Sequence, residues 1–295
     1  MSTTIAIVAT GEMGSAVGAA LVEAGYRVVT DLTGRSAQSR KLASLAGIED
    51  VGSFRAIAET ADIVLSILPP AHAVELGRRM AEALEQAGTR PLFVDCNAVS
   101  PATVAEIEKP FARLGVPFAD VGIVGPAPRG DRPPTRFYVA GPGRERLLAV
   151  QAPRITLIDL GDEIGRASAL KMCYAALNKG FDALLTAVLL ASERLGVRSE
   201  LVGEIEKSQP EAASRTSRRV PFLAATAERY APEMREIAAT FASVGVTGDF
   251  HRGAEWIYAA LARTPLAAET RLTAPPTRSL DEALAAFLGA LEPLR

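Results

Sequence analysis

Short apolar runs alternate with stretches of helical periodicity along the first half of the chain. Predicted strands occupy 5–8, 27–30, 62–68, 92–95, 117–121, 137–140 and 155–160. Runs of this length and apolar character are typical of strands buried on both faces of a sheet. Helices are predicted between them at 37–46, 73–87 and from 101 onward, where glycines or a Ser-Pro pair mark the ends. Strands that alternate with helices predict a parallel α/β sheet.

The pattern changes after Gly161, where the strand signals end. A long helix is predicted from about 164 to 195, followed by shorter helices as far as 264 and a proline-containing connection. A last helix opens with the capping box Ser279-Leu-Asp-Glu282. We therefore predict an α/β domain with a doubly wound parallel sheet at 1–161 and an all-α domain at 162–295.

The first predicted strand leads directly into a glycine turn, Thr10-Gly11-Glu12-Met13-Gly14, and then into a helical pattern. Free N–H groups at the start of such a helix favour an anion. The two glycines let phosphates approach the backbone and let the helix pack on the strand. Ala9 stands where the usual first glycine would be, so an ordinary strand-to-helix connection is the alternative. The segment predicts a Rossmann-type domain whose turn binds the diphosphate of a dinucleotide.

Two signals after the second predicted strand indicate different dinucleotides. Asp31 follows Gly11 by 20 positions, the usual distance for an acid that accepts from the ribose 2′-hydroxyl of NAD. Arg35 and Ser36, after Gly34, offer a guanidinium and a hydroxyl to the 2′-phosphate of NADP. We favour NADP, because side chains alternate along a strand and Asp31 can face away from the ribose. A solvated arginine in a polar loop is the alternative interpretation of Arg35.

Composition and charge exclude several other classes of function. With a formal net charge of −2 and no long run of like charge, the 295-residue chain shows no electrostatic preference for nucleic acid or an anionic membrane. Two cysteines and two histidines suit neither a disulfide framework nor a metal site, so no metal is predicted. The chain starts without a signal-like segment, and no apolar run reaches the roughly 18 residues of a membrane span. We expect a cytoplasmic protein with a small-molecule substrate.

Lys171 is the candidate catalytic residue beyond the sheet. It lies in a helical pattern with apolar residues around most of the helix, where an ammonium is costly and the neutral, proton-accepting lysine is favoured. Tyr174 and Asn178 follow at three and seven positions, on the helix face that carries Lys171. Such a trio could hold a substrate hydroxyl. The alternative is a lysine whose stem packs in the core and whose ammonium reaches solvent.

In their order and spacing, four segments resemble motifs of the β-hydroxyacid dehydrogenase superfamily, which includes 3-hydroxyisobutyrate dehydrogenase and 6-phosphogluconate dehydrogenase. They are the glycine turn Ala9-Thr-Gly-Glu-Met-Gly14, the loop Leu68-Pro69-Pro70, the segment Asn97-Ala-Val-Ser100-Pro101 and the helix motif from Gly165 to Lys171. Gly34-Arg35-Ser36 is similar to the signature of the NADP-using members. The resemblance extends over most of the chain and implies NADP as the cofactor.

The resemblance also implies a set of site residues. The cofactor would be bound by Thr10, Gly11, Glu12, Met13, Gly14, Arg35, Ser36, Leu68, Pro69, Pro70 and Asn97. The substrate would be bound by Asn97, Gly122, Val124 and Gly125. Lys171 would act as general acid or base, with Tyr174 and Asn178 orienting the reacting oxygen. The helical domains would pair into a homodimer, and we expect a partner subunit to cover Leu184, Leu185, Val188, Leu189 and Leu190.

The chain departs from the family pattern at the substrate. Val124 replaces a serine that binds the substrate carboxylate, Pro126 replaces a glycine, and the asparagine three or four positions after Lys171 is absent. The segment 228–236 resembles a divergent subfamily with a C-terminal domain of unknown function. We predict an NADP-dependent oxidoreductase that transfers a hydride between nicotinamide and a small hydroxy acid or related oxo compound. The alternatives are an imine reductase, a class that commonly lacks the lysine, and a catalytically silent NADPH-binding dimer scaffold.

Overall fold

The computed structural model describes residues 3–130, 132–270 and 273–291. Contacts divide the chain into two compact units, Met1–Met172 and Cys173–Arg295. This division falls inside the predicted long helix, whereas the sequence pattern places the boundary at 161.

The described part of the first unit contains one eight-stranded sheet in the order β3-β2-β1-β4-β5-β6-β7-β8. Its strands are β1 (Thr4–Val8), β2 (Arg27–Thr30), β3 (Glu49–Asp50), β4 (Ile63–Ser66), β5 (Leu92–Asp95), β6 (Phe118–Val124), β7 (Thr135–Ala140) and β8 (Ile155–Asp159). Neighbouring strands pair in parallel except β6 and β7, which are antiparallel. The predicted doubly wound α/β sheet is confirmed.

Helices cover both faces of this sheet, which explains the continuous apolar runs. They are α1 (Glu12–Glu23), α2 (Ala37–Leu45), α3 (Phe54–Thr60), α4 (Ala73–Ala87), α5 (Pro101–Arg113) and α6 (Arg144–Leu148). In β1, Ile5 and Ile7 belong to one hydrophobic cluster, whereas Ala6 and Val8 belong to the other. Every side chain of the strand is therefore buried.

Three short elements are absent from the sequence-based prediction. β3 consists of two exposed acidic residues, so no apolar run marks it. α3 and α6 have seven and five residues, too few to show a helical period. The antiparallel direction of β7 was also not predicted, because a buried strand has the same apolar pattern in either direction.

The described residues of the second unit form helices and the loops that connect them. α7 (Arg166–Arg194) starts in the first unit, and α8 (Arg198–Ser208), α9 (Pro210–Arg218), α10 (Ala224–Ser243), α11 (Asp249–Leu261) and α12 (Leu280–Ala290) follow. The capping box at Ser279 and Glu282 has both of its hydrogen bonds. The all-α prediction for the C-terminal part is confirmed.

α7 combines buried and exposed apolar positions. Leu185, Leu189 and Leu190 are at most 4% exposed, so the chain itself covers them and the expectation that they need a partner subunit is wrong. Leu184 and Val188 do face solvent. By length and composition α7 could also cross a membrane, with 44% of the relevant window buried. α7 also contains Asp182, which is fully buried and ion-paired with Arg215; an ionisable residue of this kind is costly within a membrane.

Candidate functional site

The carboxyl ends of four parallel strands bring the predicted cofactor segments to one edge of the sheet. Val8 in β1 pairs with Ser66 in β4, Ser66 with Asp95 in β5, and Asp95 with Asp120 in β6. The glycine turn follows β1, the Leu68 loop follows β4, and the Asn97 segment follows β5. Ligands of doubly wound sheets bind at this edge. The fold therefore gathers the three segments where a dinucleotide would bind.

The glycine turn has the shape that a diphosphate requires. Gly11 is the N-cap of α1, and no side chain caps the helix there. A Cβ at Gly11 would meet no atom within 4 Å, whereas a Cβ at Gly14 would lie 2.0 Å from the carbonyl oxygen of Ala9. Gly14 is thus necessary for the close approach of α1 to the strand end. The open side at Gly11 and the first-turn N–H groups fit an anion.

Thr10, Glu12 and Met13 complete the turn. Thr10 is 1% exposed, and its hydroxyl donates to the carbonyl oxygen of Ser39 at 3.2 Å, which ties the turn to α2. Met13 packs against the hydrophobic cluster beneath α1. The side chain of Glu12 is exposed. Of these three residues, only Glu12 presents a polar side-chain group to solvent.

The predicted adenosine end lies at the start of α2. Asp31 accepts a hydrogen bond from the backbone N–H of Thr33 at 2.8 Å, so its carboxylate stabilises its own turn. Ser36 is the N-cap of α2, and its hydroxyl accepts from the backbone N–H of Ser39. Arg35 is exposed, and the first turn of α2 contains no acidic residue. This surface is compatible with a phosphate.

Asn97 is engaged inside the protein. It is 3% exposed, and its Nδ2 donates to Ser66 Oγ at 2.8 Å and to the Asp95 carboxylate. Its Oδ1 accepts from the backbone N–H of Leu68 at 2.8 Å. Both amide hydrogens are therefore used, and Asn97 holds the start of the Leu68-Pro69-Pro70 loop against β4 and β5.

Two buried carboxyl groups lie side by side beneath this loop. Asp95 and Asp120 are fully buried and occupy paired positions on neighbouring strands. Burial, and then the charge of Asp120, raises the pKa of Asp95 to about 7. Burial also raises the pKa of Asp120, although hydrogen bonds from Ser168 and nearby backbone groups oppose that shift.

β6 fixes the position of α7 at its N-terminal end. The carboxylate of Asp120 accepts from the backbone N–H of Ser168 at 2.9 Å and from its hydroxyl at 2.7 Å. A negative charge is favourable at a helix N-terminus. A Cβ at Gly122 would lie 2.6 Å from the carbonyl oxygen of Ala167, so Gly122 is needed for the close crossing of α7 over β6. In the next turn, Lys171 Nζ donates to the carbonyl oxygen of Ile123.

Val124 and Gly125 end β6. Val124 is 3% exposed and offers no polar side-chain atom. Gly125 has a φ of +117°, a conformation that favours glycine, and it turns the chain out of the strand.

The helix turn around Lys171 is less buried than predicted. Lys171 is half-buried and Met172 is fully buried, but Tyr174 and Leu177 are 46% and 70% exposed. Cys173 is exposed as well. The expectation of an apolar environment around most of the helix is wrong, because one face of α7 is open.

Asn178 belongs to a hydrogen-bond network around the buried Asp182, which the sequence analysis did not predict. The Asn178 Oδ1 atom accepts from Arg215 Nη2 at 3.2 Å, and its Nδ2 donates to the carbonyl oxygen of Tyr174 at 3.1 Å. Arg215 and Arg219 also donate to Asp182, at 2.7 Å and 2.9 Å for the Nη1 and Nε bonds, and Asp182 is 0% exposed. An aspartate inside an apolar helical pattern was the available signal for this network.

Arg129 is another residue whose contacts the sequence analysis did not predict. It lies between β6 and β7, and its Nη2 donates to the carbonyl oxygen of Glu12 at 3.0 Å and to Ser15 Oγ at 3.2 Å. A contact between residues more than 100 positions apart cannot be predicted from the spacing of residues within a short segment. The guanidinium therefore reaches the first turn of α1, beside the glycine turn.

Two family models match the chain. Residues 4–147 match the NAD binding domain of 6-phosphogluconate dehydrogenase, and residues 192–261 match a domain of unknown function (DUF1932). Together the two matches are those of the divergent β-hydroxyacid dehydrogenases that carry this C-terminal domain. This is the family that the sequence motifs indicated.

Relatives and solved structures agree with this membership. A 3-hydroxyisobutyrate dehydrogenase from Pseudomonas aeruginosa is 30% identical over 144 residues, which cover 48% of this chain and 47% of that protein. A conserved hypothetical protein from Sinorhizobium meliloti 1021 has a TM-score of 0.65 at 26% identity, covering 99% of this chain and 97% of that one. An imine reductase from Myxococcus stipitatus in complex with NADP+ has a TM-score of 0.52 at 19% identity, covering 98% and 100%.

These β-hydroxyacid dehydrogenase relatives support an oxidoreductase that uses NAD or NADP. The similar folds include both dehydrogenases and imine reductases, so the comparisons support the class of enzyme and not its substrate.

Proposed function

We propose that the protein is an NADP-dependent oxidoreductase that moves a hydride between the nicotinamide and a small hydroxy acid or related oxo compound, with Lys171 as general acid or base. The position of Lys171 carries this proposal. Its Nζ is bound to the carbonyl oxygen of Ile123 near the carboxyl end of β6, the edge that also carries the glycine turn. Proton exchange at this edge is what hydride transfer to or from a hydroxyl carbon needs.

The proposed cofactor residues divide by the part of the dinucleotide they serve. The backbone from Thr10 to Gly14 would hold the diphosphate. Arg35 would pair with the 2′-phosphate, and Ser36 would present the N-terminus of α2 beside it. The Leu68-Pro69-Pro70 loop, held by Asn97, would border the nicotinamide. When bound, the nicotinamide would donate or accept the hydride.

The proton step would belong to Lys171. In oxidation its neutral amine accepts the substrate hydroxyl proton, and in reduction its ammonium returns it. The carbonyl oxygen of Ile123 orients Nζ, and Asp120 holds the start of the same helix. Asp120 acts through α7 and is therefore a positioning residue.

At the substrate, Tyr174 is better placed to act than Asn178. The Tyr174 side chain is 46% exposed on α7, whereas both polar ends of Asn178 are already bound. Asn178 would have to exchange its bond with Arg215 to contact a ligand. We propose that Tyr174 donates to the reacting oxygen and that Asn178 keeps Arg215 in place. Gly122, Val124 and Gly125 would then form the apolar substrate wall that replaces a carboxylate-binding serine.

Two alternatives rest on specific features. An imine substrate is favoured by the apolar Val124 and the exposed Tyr174, because a phenol can protonate a nitrogen where no carboxylate needs a polar site. Lys171 argues against it. A silent NADPH-binding scaffold is favoured by the internal bonds of Asn97 and Asn178, which withdraw two predicted ligand-binding amides.

A substrate panel with a Lys171 variant tests the proposal. Hydroxy acids, sugar acids, aldehydes and cyclic imines are incubated with the protein and NADPH or NADP+, and absorbance at the nicotinamide band is followed. With the substrate found, Lys171→Met should reduce turnover by roughly 10² to 10⁴ while NADPH affinity stays unchanged. Lys207→Met, which removes an exposed lysine on α8, should keep full turnover.

Each outcome of this panel points to one reading. Turnover of any compound contradicts the silent scaffold. Full turnover by Lys171→Met contradicts the lysine mechanism, and activity confined to imines favours the reductase with Tyr174 as the proton donor.

A further inference from the structure

Arg129 connects the β6–β7 segment to the turn that would hold the diphosphate. Both of its hydrogen bonds to α1 use Nη2, which reaches the carbonyl oxygen of Glu12 and the hydroxyl of Ser15. Glu12 is the first residue of α1, directly after the N-cap Gly11. The guanidinium therefore contacts the first turn of α1.

The dipole of α1 does not favour a cation at this end of the helix. The N-terminus of a helix carries a partial positive charge of about half an elementary charge, and cations are favoured at the opposite end. Arg129 is exposed, and no carboxylate among the described residues forms an ion pair with it. An anion bound at the turn would add a favourable charge contact to the two hydrogen bonds that Arg129 already makes.

The backbone of the segment is held without Arg129. Arg154 donates to the carbonyl oxygen of Gly130 and forms an ion pair with Glu23 near the end of α1, at 2.8 Å. Thr135 Oγ1 donates to the carbonyl oxygen of Pro126. Because these bonds fix the segment on both sides, anchoring does not explain the arginine.

We propose that Arg129 is a diphosphate-binding residue: its guanidinium pairs with the dinucleotide diphosphate that the first turn of α1 receives. This rests on the proposed dinucleotide site. The glycine turn fits that group, because a Cβ at Gly11 would meet nothing within 4 Å. An arginine offers two parallel N–H donors to phosphate oxygens, and Nε and Nη1 make no hydrogen bond with the described residues.

Arg129 and Arg35 would bind different parts of the cofactor. The diphosphate is common to NADH and NADPH, whereas the 2′-phosphate belongs to NADPH alone. Loss of Arg129 should therefore weaken both dinucleotides by the same factor. Loss of a residue that binds the 2′-phosphate should weaken the binding of NADPH alone.

Titration of NADPH and NADH fluorescence with Arg129→Ala tests the assignment. We expect the Kd of both dinucleotides to rise by about tenfold, and by less in high salt, where the charge contact is screened. Arg129→Lys should recover part of the affinity, since it keeps the charge and loses the paired donors. Arg132→Ala is the matched control, because it removes the same charge from an exposed position in the same segment, and its affinities should equal those of the wild type. Thermal melts of all variants check that folding is unchanged.

The possible results are distinct. Wild-type affinity of Arg129→Ala for both dinucleotides would overturn the proposal, and so would an effect on NADPH alone. An equal loss in Arg132→Ala would show a general charge effect and would also overturn it. If the wild-type protein binds neither dinucleotide, the proposed function itself is wrong.

Discussion

At the level of single residues, we propose that Arg35 distinguishes the two dinucleotides. It is exposed at the start of α2, while the competing Asp31 already accepts a hydrogen bond from its own turn. The exposure of Arg35 beside the N-terminus of α2 supports the proposed contact with a 2′-phosphate.

Arg35→Ala should remove a preference for NADPH. We expect the wild-type protein to bind NADPH at least roughly tenfold more tightly than NADH, since a charge-assisted contact contributes about 1.5 to 3 kcal/mol. In the variant the two affinities should become equal, with NADH unaffected. Fluorescence titration measures both. Arg113→Ala, an exposed arginine on α5, serves as the control and should keep the preference. Equal wild-type affinity for both dinucleotides would return the assignment to Asp31 and NAD.

Single residues also show where sequence reasoning reaches its limit. Gly14 could be predicted to allow close packing, because the strand, the turn and the helix that impose this demand are contiguous in sequence. The internal hydrogen bonds of Asn97 could not be predicted, because its partners Ser66 and Leu68 lie at and after the end of β4, a different strand. Arg129 and Asp182 were missed for the same reason. Arg129 bonds to Glu12, which lies 117 positions away in the sequence. Asp182 accepts from Arg215, which lies 33 positions away.

At the level of elements, the β5–β6 pair places two acids where the apolar pattern predicts only core. Asp95 and Asp120 end up adjacent because parallel pairing brings the strand ends into register. One of them, Asp120, caps α7 and so links the sheet to the helix of Lys171. The strands themselves were predictable from their apolar runs, but their register, and with it this pair, was not.

Asp95→Asn should change how stability depends on pH. The pKa of Asp95 is raised to about 7 in the folded state, above its value of about 3.9 in an unfolded chain. Between these pH values the folded state therefore binds more protons at Asp95 than the unfolded state does. The contribution of Asp95 to the free energy of unfolding falls as pH rises from about 4 to 7. We expect the wild-type free energy of unfolding to drop by on the order of 2 kcal/mol more than that of Asp95→Asn between pH 5 and 8.

Urea unfolding at both pH values measures this difference. Asp162→Asn, which alters an exposed aspartate, is the control and should follow the wild type. Parallel pH curves for wild type and Asp95→Asn would contradict a raised pKa at this position.

At the level of the whole molecule, α7 leaves an apolar stripe on the second unit. Leu177, Leu184 and Val188 are 37% to 70% exposed and follow one another by seven and four positions, and the exposed Leu195 comes directly after the helix. This spacing keeps them on one helix face. Exposed apolar stripes of this kind mark protein interfaces. A second copy of the chain, as the family resemblance implies, is the partner we propose.

Sedimentation velocity at micromolar concentration tests this assembly. The wild-type protein should sediment as a species of twice the 31.0 kDa chain mass. Leu184→Glu places a charge in the centre of the stripe and should shift the protein to monomer, because an unpaired charge is costly inside an apolar contact. Leu45→Glu is the matched control: it changes a leucine of similar exposure on α2, away from the stripe, and should leave the dimer intact. A monomeric wild type would refute the dimer. A dimer that survives Leu184→Glu would place the interface on another surface, such as that around the exposed Phe250 and Trp256 of α11.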